Sequence, residues 1–263
     1  MEIFNGFELS ADGHVATLRI NRPAKRNAMT VEMWRALPTI LAPLVDDPAV
    51  RVLVLTGADG TFCSGADISE IAGLAEAGDD TGLTAVAEEA LAAFPKPTIA
   101  MIEGFCVGGG CQLAMACDLR LAAEDARFGI TPARLGVVYP LSATRRLVGL
   151  VGPSAAKLLL YSADLVDAPA ALRTGLVDEV HPPRELGERV YGLARTFAGR
   201  SQLTLTATKE IIGDIVAGGD AETRVREWQS RSREEQAEGI AAFLEGRPAR
   251  FPWSRGYSGD MTS

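Results

Sequence analysis

The first part of the chain alternates between short apolar runs and longer segments with helical spacing. His14 to Ile20 alternates polar and apolar residues, as a half-buried strand does. Arg51 to Leu55 and Thr98 to Ile102 are continuous apolar runs, which are typical of parallel strands covered on both faces. Because strand and helix patterns follow one another in turn, the sequence predicts an α/β fold with mostly parallel pairing.

Helical spacing also indicates how the chain is organised. The predicted helices of the first half cover residues 31–45, 68–78, 84–94 and 108–117. Thr30 is a favourable N-cap for the first of them. After Pro183 three long segments have helical spacing and none has a strand pattern. We therefore predict an α/β core over 1–200 and a helical region over 201–263.

Composition and charge exclude several classes of protein. The 263 residues are 47% hydrophobic and 23% charged, which is the balance of a soluble globular protein. A net charge of -8 argues against a nucleic-acid partner, because binding the phosphate backbone needs clustered positive charge. The stretch 97–117 is apolar but contains a glycine triplet, so we expect a strand, a turn and a helix rather than a membrane span. The opening residues lack the features of a secretory leader, and we expect a cytoplasmic protein.

Histidine and cysteine usage gives no sign of a metal centre. The chain has 2 histidines and 4 cysteines, with neither an HExxH motif nor paired CxxC motifs. The cysteines lie among apolar and small residues, so we expect reduced, buried thiols. We predict no metal and no redox cofactor.

Two segments share one layout, in which a strand leads through a turn of small residues into a helix. They are RVLVLTGADGTFCSGADISEI and KPTIAMIEGFCVGGGCQLAMACDLRLA. Neither fits a dinucleotide or phosphate-binding fingerprint. Glycines at a helix start let main-chain N–H groups approach a ligand, and two such groups aimed at one carbonyl oxygen form an oxyanion hole. Tight packing of a helix on a strand requires glycine as well, so the spacing leaves both interpretations open.

Several segments of the chain resemble the enoyl-CoA hydratase/isomerase (crotonase) family. They include NRPAKRNAM, FCSGADI and the glycine-triplet segment, and the resemblance continues through RFGITPARLGVVYP to AAFLEGRPARF. It covers nearly the whole chain in the same order. It implies a spiral of ββα units with a helical C-terminal region that builds a homotrimer or a hexamer.

The resemblance also implies a ligand and a set of site residues. In the family, an acyl-CoA thioester is polarised by two main-chain N–H groups, which correspond here to Ala66 and Gly109. Groups after the NRP turn and around the GAD turn hold the coenzyme A part of the substrate. The corresponding residues are Lys25, Ala28, Ala66, Asp67 and Ile68.

The chain departs from the family pattern at the positions of the two acid–base glutamates of the hydratases. Gln112 and Pro132 stand there, and neither accepts a proton at neutral pH. Loss of CO2 from a malonyl-type thioester forms the enolate without a base, so it becomes the leading reaction. The segment ITPARLGVVY resembles methylmalonyl-CoA decarboxylase, which makes Thr131 and Tyr139 candidates to orient a carboxylate or donate a proton. That decarboxylase has histidine where this chain has Ala66.

Two other functions stay open at this point. One is a hydratase or isomerase with a non-standard acid–base group, and the other is a member that binds acyl-CoA without catalysis. Glu88 and Glu89 are carboxylates on a predicted helix, but adjacent acids on a helix are usually solvated, and we expect an exposed pair. The acyl group itself is not predicted, because it depends on how residues 72–91 cover the pocket.

Overall fold

The computed structural model describes residues 2–70 and 82–253, and these residues form two β-sheets and a set of surrounding helices. The strands are β1 (Glu2–Phe4), β2 (Phe7–Asp12), β3 (Val15–Ile20), β4 (Val52–Gly57), β5 (Thr98–Ile102), β6 (Phe105–Val107), β7 (Leu119–Ala123), β8 (Arg127–Gly129), β9 (Val166–Asp167) and β10 (Glu179–His181). The larger sheet has the order β1-β2-β3-β4-β5-β7-β10, and the smaller has the order β6-β8-β9.

Helices cover the sheets and make up the C-terminal part of the chain. Those longer than one turn are α1 (Val31–Asp46), α2 (Leu83–Ala92), α3 (Gly109–Ala116), α4 (Leu141–Ser162), α5 (Ala168–Thr174), α6 (Pro183–Ala198), α7 (Gln202–Ala217), α8 (Ala221–Arg231) and α9 (Arg233–Glu245). Thr30 caps α1 as expected, because its side chain accepts a hydrogen bond from the Met33 N–H. Part of the predicted helix over 68–78 lies outside the described residues.

Parallel pairing dominates the larger sheet. Strands β3, β4, β5, β7 and β10 pair in parallel, and only the β1–β2–β3 edge is antiparallel. The α/β prediction with mostly parallel strands is therefore confirmed. The β1–β2 hairpin is not among the predicted elements, although its turn is Asn5-Gly6 with positive φ at both residues, a strong hairpin signal.

The central strands are apolar throughout because both faces of the sheet are covered. In β4, Leu53 and Leu55 point into the main core, whereas Val52 and Val54 pack in a second cluster with residues of α6. This is why the run 51–55 shows no alternation. Helix α6 thus belongs to the α/β core.

Helices α7 to α9 follow as the C-terminal helical region, and a small cluster of Leu203, Ala207 and Trp228 packs α7 against α8. Their role in building a homotrimer or hexamer, and the boundary at residue 200, remain predictions. None of the helices within the described residues is long and apolar enough to cross a membrane.

Candidate active site

Two main-chain N–H groups meet where α3 begins. Helix α3 starts at Gly109, whose N–H falls in the first turn and lacks an intrahelical acceptor. A Cβ built on Gly109 would lie 3.5 Å from the Ala66 nitrogen, so the two residues are close neighbours. Neither N–H has a hydrogen-bond acceptor among residues 2–70 and 82–253. The structure therefore brings the two predicted oxyanion-hole residues together with both donors available.

The Ala66 N–H is left unpaired by the way its segment bridges to Met29. The Met29 N–H donates to the Gly65 carbonyl at 2.8 Å, and the Asp67 N–H donates to the Met29 carbonyl at 2.8 Å. Because main-chain groups alternate in direction along an extended segment, the N–H of Ala66 points away from Met29. Gly65 has a φ of 103°, which favours glycine at this position.

Each glycine of the triplet has its own structural reason. Gly108 has a φ of 55°, a conformation that other residues rarely adopt. A Cβ on Gly109 would lie 2.8 Å from Cζ2 of Trp34, and a Cβ on Gly110 would lie 2.3 Å from the carbonyl oxygen of Cys63. Of the two interpretations left open by the sequence, tight packing thus accounts for Gly109 and Gly110, and the close approach of a ligand remains a prediction.

The predicted coenzyme A residues lie together around one arginine. Arg22 donates to the Ala28 carbonyl at 3.0 Å and to the Asp67 carboxylate at 2.7 Å, which joins the turn 22–29 to the turn 64–67. Lys25 is exposed on the same surface, and Ile68 is 60% exposed. The Asp67 N–H donates to the Met29 carbonyl, so the side chain and the main chain of Asp67 both stabilise the turn. Binding of coenzyme A by these residues remains a prediction.

Hydrogen bonds fix the Asp67 side chain. A hydrogen bond from Ser69, and to a lesser extent one from Arg22, lowers the pKa of Asp67 to about 2. Sequence analysis missed Arg22 and also Asn27, which is fully buried with a φ of 57°. The Asn27 amide donates to the carbonyls of Ala58 and Thr61. Asparagine tolerates this left-handed conformation, and its place in the NRPAKRN turn is the signal that would have identified it.

Glu88 contradicts the expectation of an exposed acid pair. Glu88 is 0% exposed, and its Oε2 accepts hydrogen bonds from Gln112 Nε2 at 2.8 Å and from Ser142 Oγ at 2.8 Å. The Arg146 guanidinium donates to the other carboxylate oxygen. The prediction of a solvated Glu88 is wrong, because α2 packs against α3 and α4 with this residue on the inner face.

Glu89 does face solvent, with 55% of its side chain exposed, and it pairs with Arg146 at 3.0 Å. Arg146 therefore lies between two carboxylates. Burial acts to lower its pKa, but hydrogen bonds and charges of Glu89 and Glu88 prevail and raise the pKa of Arg146 above its ordinary value. The guanidinium stays charged and supplies the positive charge that the buried Glu88 needs.

The sequence contained a signal for the burial of Glu88. Thr84, Ala87, Glu88 and Leu91 recur at i, i+3, i+4 and i+7, which is the spacing of one helix face. Ala87 and Leu91 are fully buried, and Glu88 lies between them on that face.

Thr131 and Tyr139 lie beside the start of α3. The Tyr139 hydroxyl donates to the Gly108 carbonyl at 3.2 Å, and Thr131 Oγ1 lies 3.8 Å from where a Cβ on Gly108 would be. Burial above all, with smaller electrostatic contributions from Cys111, Glu88 and Cys106, raises the pKa of Tyr139 well above its ordinary value. Pro132 begins a short 3₁₀ turn, Pro132–Arg134, between these two residues. The structure thus places two hydroxyl groups beside the start of α3.

Comparison with known proteins decides the family. The sequence profile described as Enoyl-CoA hydratase/isomerase matches residues 10–254 of the chain. The chain belongs to the enoyl-CoA hydratase/isomerase family. This confirms the resemblance noted from the glycine-rich segments, and with it the α/β spiral fold with a helical C-terminal region.

Similar members of the family are hydratases by name. The chain is 36% identical over 255 residues to a crotonyl-CoA hydratase from Syntrophomonas wolfei, covering 92% of this chain and 96% of that protein. It is 35% identical to 2,3-dehydroadipyl-CoA hydratase from Escherichia coli, with coverages of 92% and 97%. An enoyl-CoA hydratase structure from Bacillus anthracis superimposes with a TM-score of 0.86 at 30% identity, covering 95% of this chain and 99% of that one.

The cysteines near the site are free and buried, as expected. Burial raises the pKa of Cys63 and of Cys117 to about 12, so both thiols stay protonated at neutral pH and are poor nucleophiles. In the described part of this family member, no group of three His, Cys, Asp or Glu side chains is arranged to hold a metal ion.

The raised pKa of Tyr139 leads to a pH prediction. A raised pKa favours the protonated hydroxyl, so Tyr139 remains a neutral donor to well above pH 10. We expect Tyr139→Phe to lower kcat, since the bond to Gly108 is lost, while the alkaline side of the pH–rate profile stays unchanged. The measurement is kcat against pH for both proteins. An alkaline limb in the wild type that disappears in Tyr139→Phe would contradict the assignment.

Proposed function

We propose that this chain binds an acyl-CoA thioester and stabilises the enolate formed from it through the N–H groups of Ala66 and Gly109. The observation that carries the proposal is that both donors lack acceptors among the described residues while lying side by side at the start of α3. Donors fixed in this way contribute about 3–4 kcal/mol each to stabilising a developing oxyanion. Family membership supports the acyl-CoA class of substrate.

The specific reaction we propose is decarboxylation of a malonyl-type thioester. The bond between the α carbon and the carboxylate breaks, its electron pair becomes the enolate, and CO2 leaves. A proton then joins the α carbon, so the step is balanced without an oxidant or a reductant. Gln112 and Pro132 offer no base, and this reaction needs none to form the enolate.

Thr131 and Tyr139 are the proposed partners of the reacting group. Both hydroxyls lie near Gly108, directly before the oxyanion donor Gly109. A neutral hydroxyl donates a hydrogen bond to a carboxylate and passes a proton toward a carbanion more readily than an amide does. Because the Tyr139 hydroxyl has a single proton, it must turn from the Gly108 carbonyl to the substrate in order to act in this way. The high pKa of Tyr139 keeps that proton in place until the enolate forms.

Hydration of a 2-enoyl thioester is the second candidate, favoured by one specific observation. Gln112 donates to the buried carboxylate of Glu88, so a carboxylate does lie one hydrogen bond away from the position where hydratases carry a glutamate. The relatives named as hydratases point the same way. Glu88 has three donors of its own, however, and is fully buried, which separates it from an incoming water.

A turnover assay with methylmalonyl-CoA and crotonyl-CoA side by side, followed by mass spectrometry, tests the proposal. We expect propionyl-CoA from methylmalonyl-CoA at a rate well above that of crotonyl-CoA hydration. Rapid hydration without any propionyl-CoA would select the second candidate. Tight acyl-CoA binding with no turnover of a broad thioester panel would show a binding protein instead.

A further inference from the structure

The Gln112 amide is held in one orientation by a buried carboxylate. An ionised carboxylate only accepts hydrogen bonds, so the Gln112 group that faces Glu88 Oε2 at 2.8 Å must be the NH2. Ser142 Oγ donates to the same oxygen at 2.8 Å, and Arg146 donates to the other one. Every partner of Glu88 among the described residues is therefore a donor, and one of them carries the compensating charge.

The opposite end of the amide is available to a ligand. Gln112 lies in the first turn of α3, where its main-chain N–H donates to the Gly108 carbonyl at 3.1 Å. Its side-chain oxygen accepts no hydrogen bond from any residue that the structure describes. Gln112 is 2% exposed as a residue, but its side-chain oxygen is not one of the fully buried polar atoms without a partner among the described residues, so it can accept a hydrogen bond from a water or from a ligand.

We infer that Glu88 is a specificity-determining positioning residue, which turns the carbonyl oxygen of Gln112 toward the reacting end of the acyl group. This inference rests on the proposed acyl-CoA site. It means that a hydroxyl or a water is accepted next to Gln112, because each supplies a donor. A carboxylate is rejected there, since two acceptors would face each other.

Because the Gln112 oxygen is an acceptor, the carboxylate of a malonyl-type substrate must lie elsewhere in the site. Thr131 and Tyr139 supply hydroxyls near Gly108, so the carboxylate belongs on their side. Gln112 then faces the remaining part of the acyl group. The two sides of the pocket thus differ in the hydrogen bonds they offer.

Replacing Glu88 by glutamine reverses the orientation with little change of shape. An amide at position 88 has one accepting oxygen, which the charged Arg146 takes, and an NH2 that then faces Gln112. Gln112 must turn its own oxygen to that NH2 and present its NH2 to the ligand. Glu89→Gln is the matched control, because Glu89 shares Arg146 but has no hydrogen bond to Gln112.

The test compares three ligands that differ in the groups attached to the third acyl carbon: butyryl-CoA (a methyl group), 3-hydroxybutyryl-CoA (a methyl and a hydroxyl group) and succinyl-CoA (a carboxylate). Their dissociation constants are measured by calorimetry for the wild type, Glu88→Gln and Glu89→Gln, with mass spectrometry confirming that each ligand is unchanged. We expect the wild type to bind the hydroxylated ligand at least about tenfold more tightly than succinyl-CoA. Glu88→Gln should reduce that ratio by about tenfold or invert it, and Glu89→Gln should leave it as in the wild type.

Each outcome bears on the inference. An unchanged ratio in a folded Glu88→Gln protein would overturn it, while the binding of butyryl-CoA would leave the proposed function standing. Failure of all three thioesters to bind would overturn the proposed function and this inference with it. Should Glu88→Gln not fold, Gln112→Met removes both ends of the amide. The inference then requires the preference for the hydroxyl over the carboxylate to disappear in Gln112→Met, and its persistence would refute the role of Gln112.

Discussion

Replacing Gly109 by proline lowers kcat/KM by about 10²- to 10³-fold for the thioester that the turnover assay identifies, because one of the two oxyanion donors is removed. The main chain at a helix start accommodates proline, although the added Cβ crowds Trp34. Gly109 is the first residue of α3, where the N–H makes no intrahelical bond and the proline ring fits the helix start. The measurement is steady-state kinetics on the variant and the wild type.

Gly109→Ala is the matched control for that substitution. Both variants place a Cβ against Trp34, 2.8 Å from its Cζ2, but alanine keeps the N–H. We expect the alanine variant to lose much less activity than the proline variant. Equal losses would mean that crowding against Trp34, rather than the missing donor, causes the effect.

The second large effect is on stability, in Gly110→Ala. The added Cβ would lie 2.3 Å from the Cys63 carbonyl oxygen, a main-chain atom that does not move without its whole segment. Forcing a methyl group into such a contact costs about 1–3 kcal/mol, more than alanine gains from its higher helix propensity. We expect a clear fall in the free energy of unfolding by urea, and a Tm lower by about 2–4 °C for each kcal/mol.

Gly213→Ala shows whether that loss comes from the contact. Gly213 lies in α7 and is exposed, and a Cβ built there would meet no side chain or neighbouring segment of the described residues within 4 Å. Alanine there should raise the free energy of unfolding by up to about 1 kcal/mol, because glycine disfavours helix interiors. A Gly110→Ala protein as stable as the wild type would mean that α3 is not fixed against the Cys63 segment.

Local patterns predicted the elements that carry the site. The apolar run at Thr98–Ile102 predicted β5 with its exact bounds. The helical spacing after Gly108 predicted α3 to within one residue at each end. The hairpin at the N-terminal edge was missed because all residues of β1 are on the exposed surface and show no apolar alternation.

Contacts between distant residues explain what the sequence did not predict. Glu88 is 24 residues from Gln112, 54 from Ser142 and 58 from Arg146. These four residues do not occur together in any short stretch of sequence. The exposed-pair prediction relied on the general tendency of adjacent helical acids to be solvated, and hydrogen bonds from three distant donors stabilise the buried carboxylate instead. The packing of Trp34 on Gly109 could not be predicted from the sequence for the same reason, because it depends on how α1 and α3 pack together.

In the proposed site, the groups that stabilise the negative charge developing on the substrate belong to the main chain, and this has an evolutionary consequence. Side-chain substitutions that preserve the two turns leave those groups unchanged, whatever residue stands at position 66. Reaction type can then diverge through the few side chains around them, such as Gln112 and Tyr139, while the charge-stabilising device is inherited with the fold itself. A change of substrate within the family therefore requires changes only in the side chains around the two N–H groups, and the N–H groups themselves are retained.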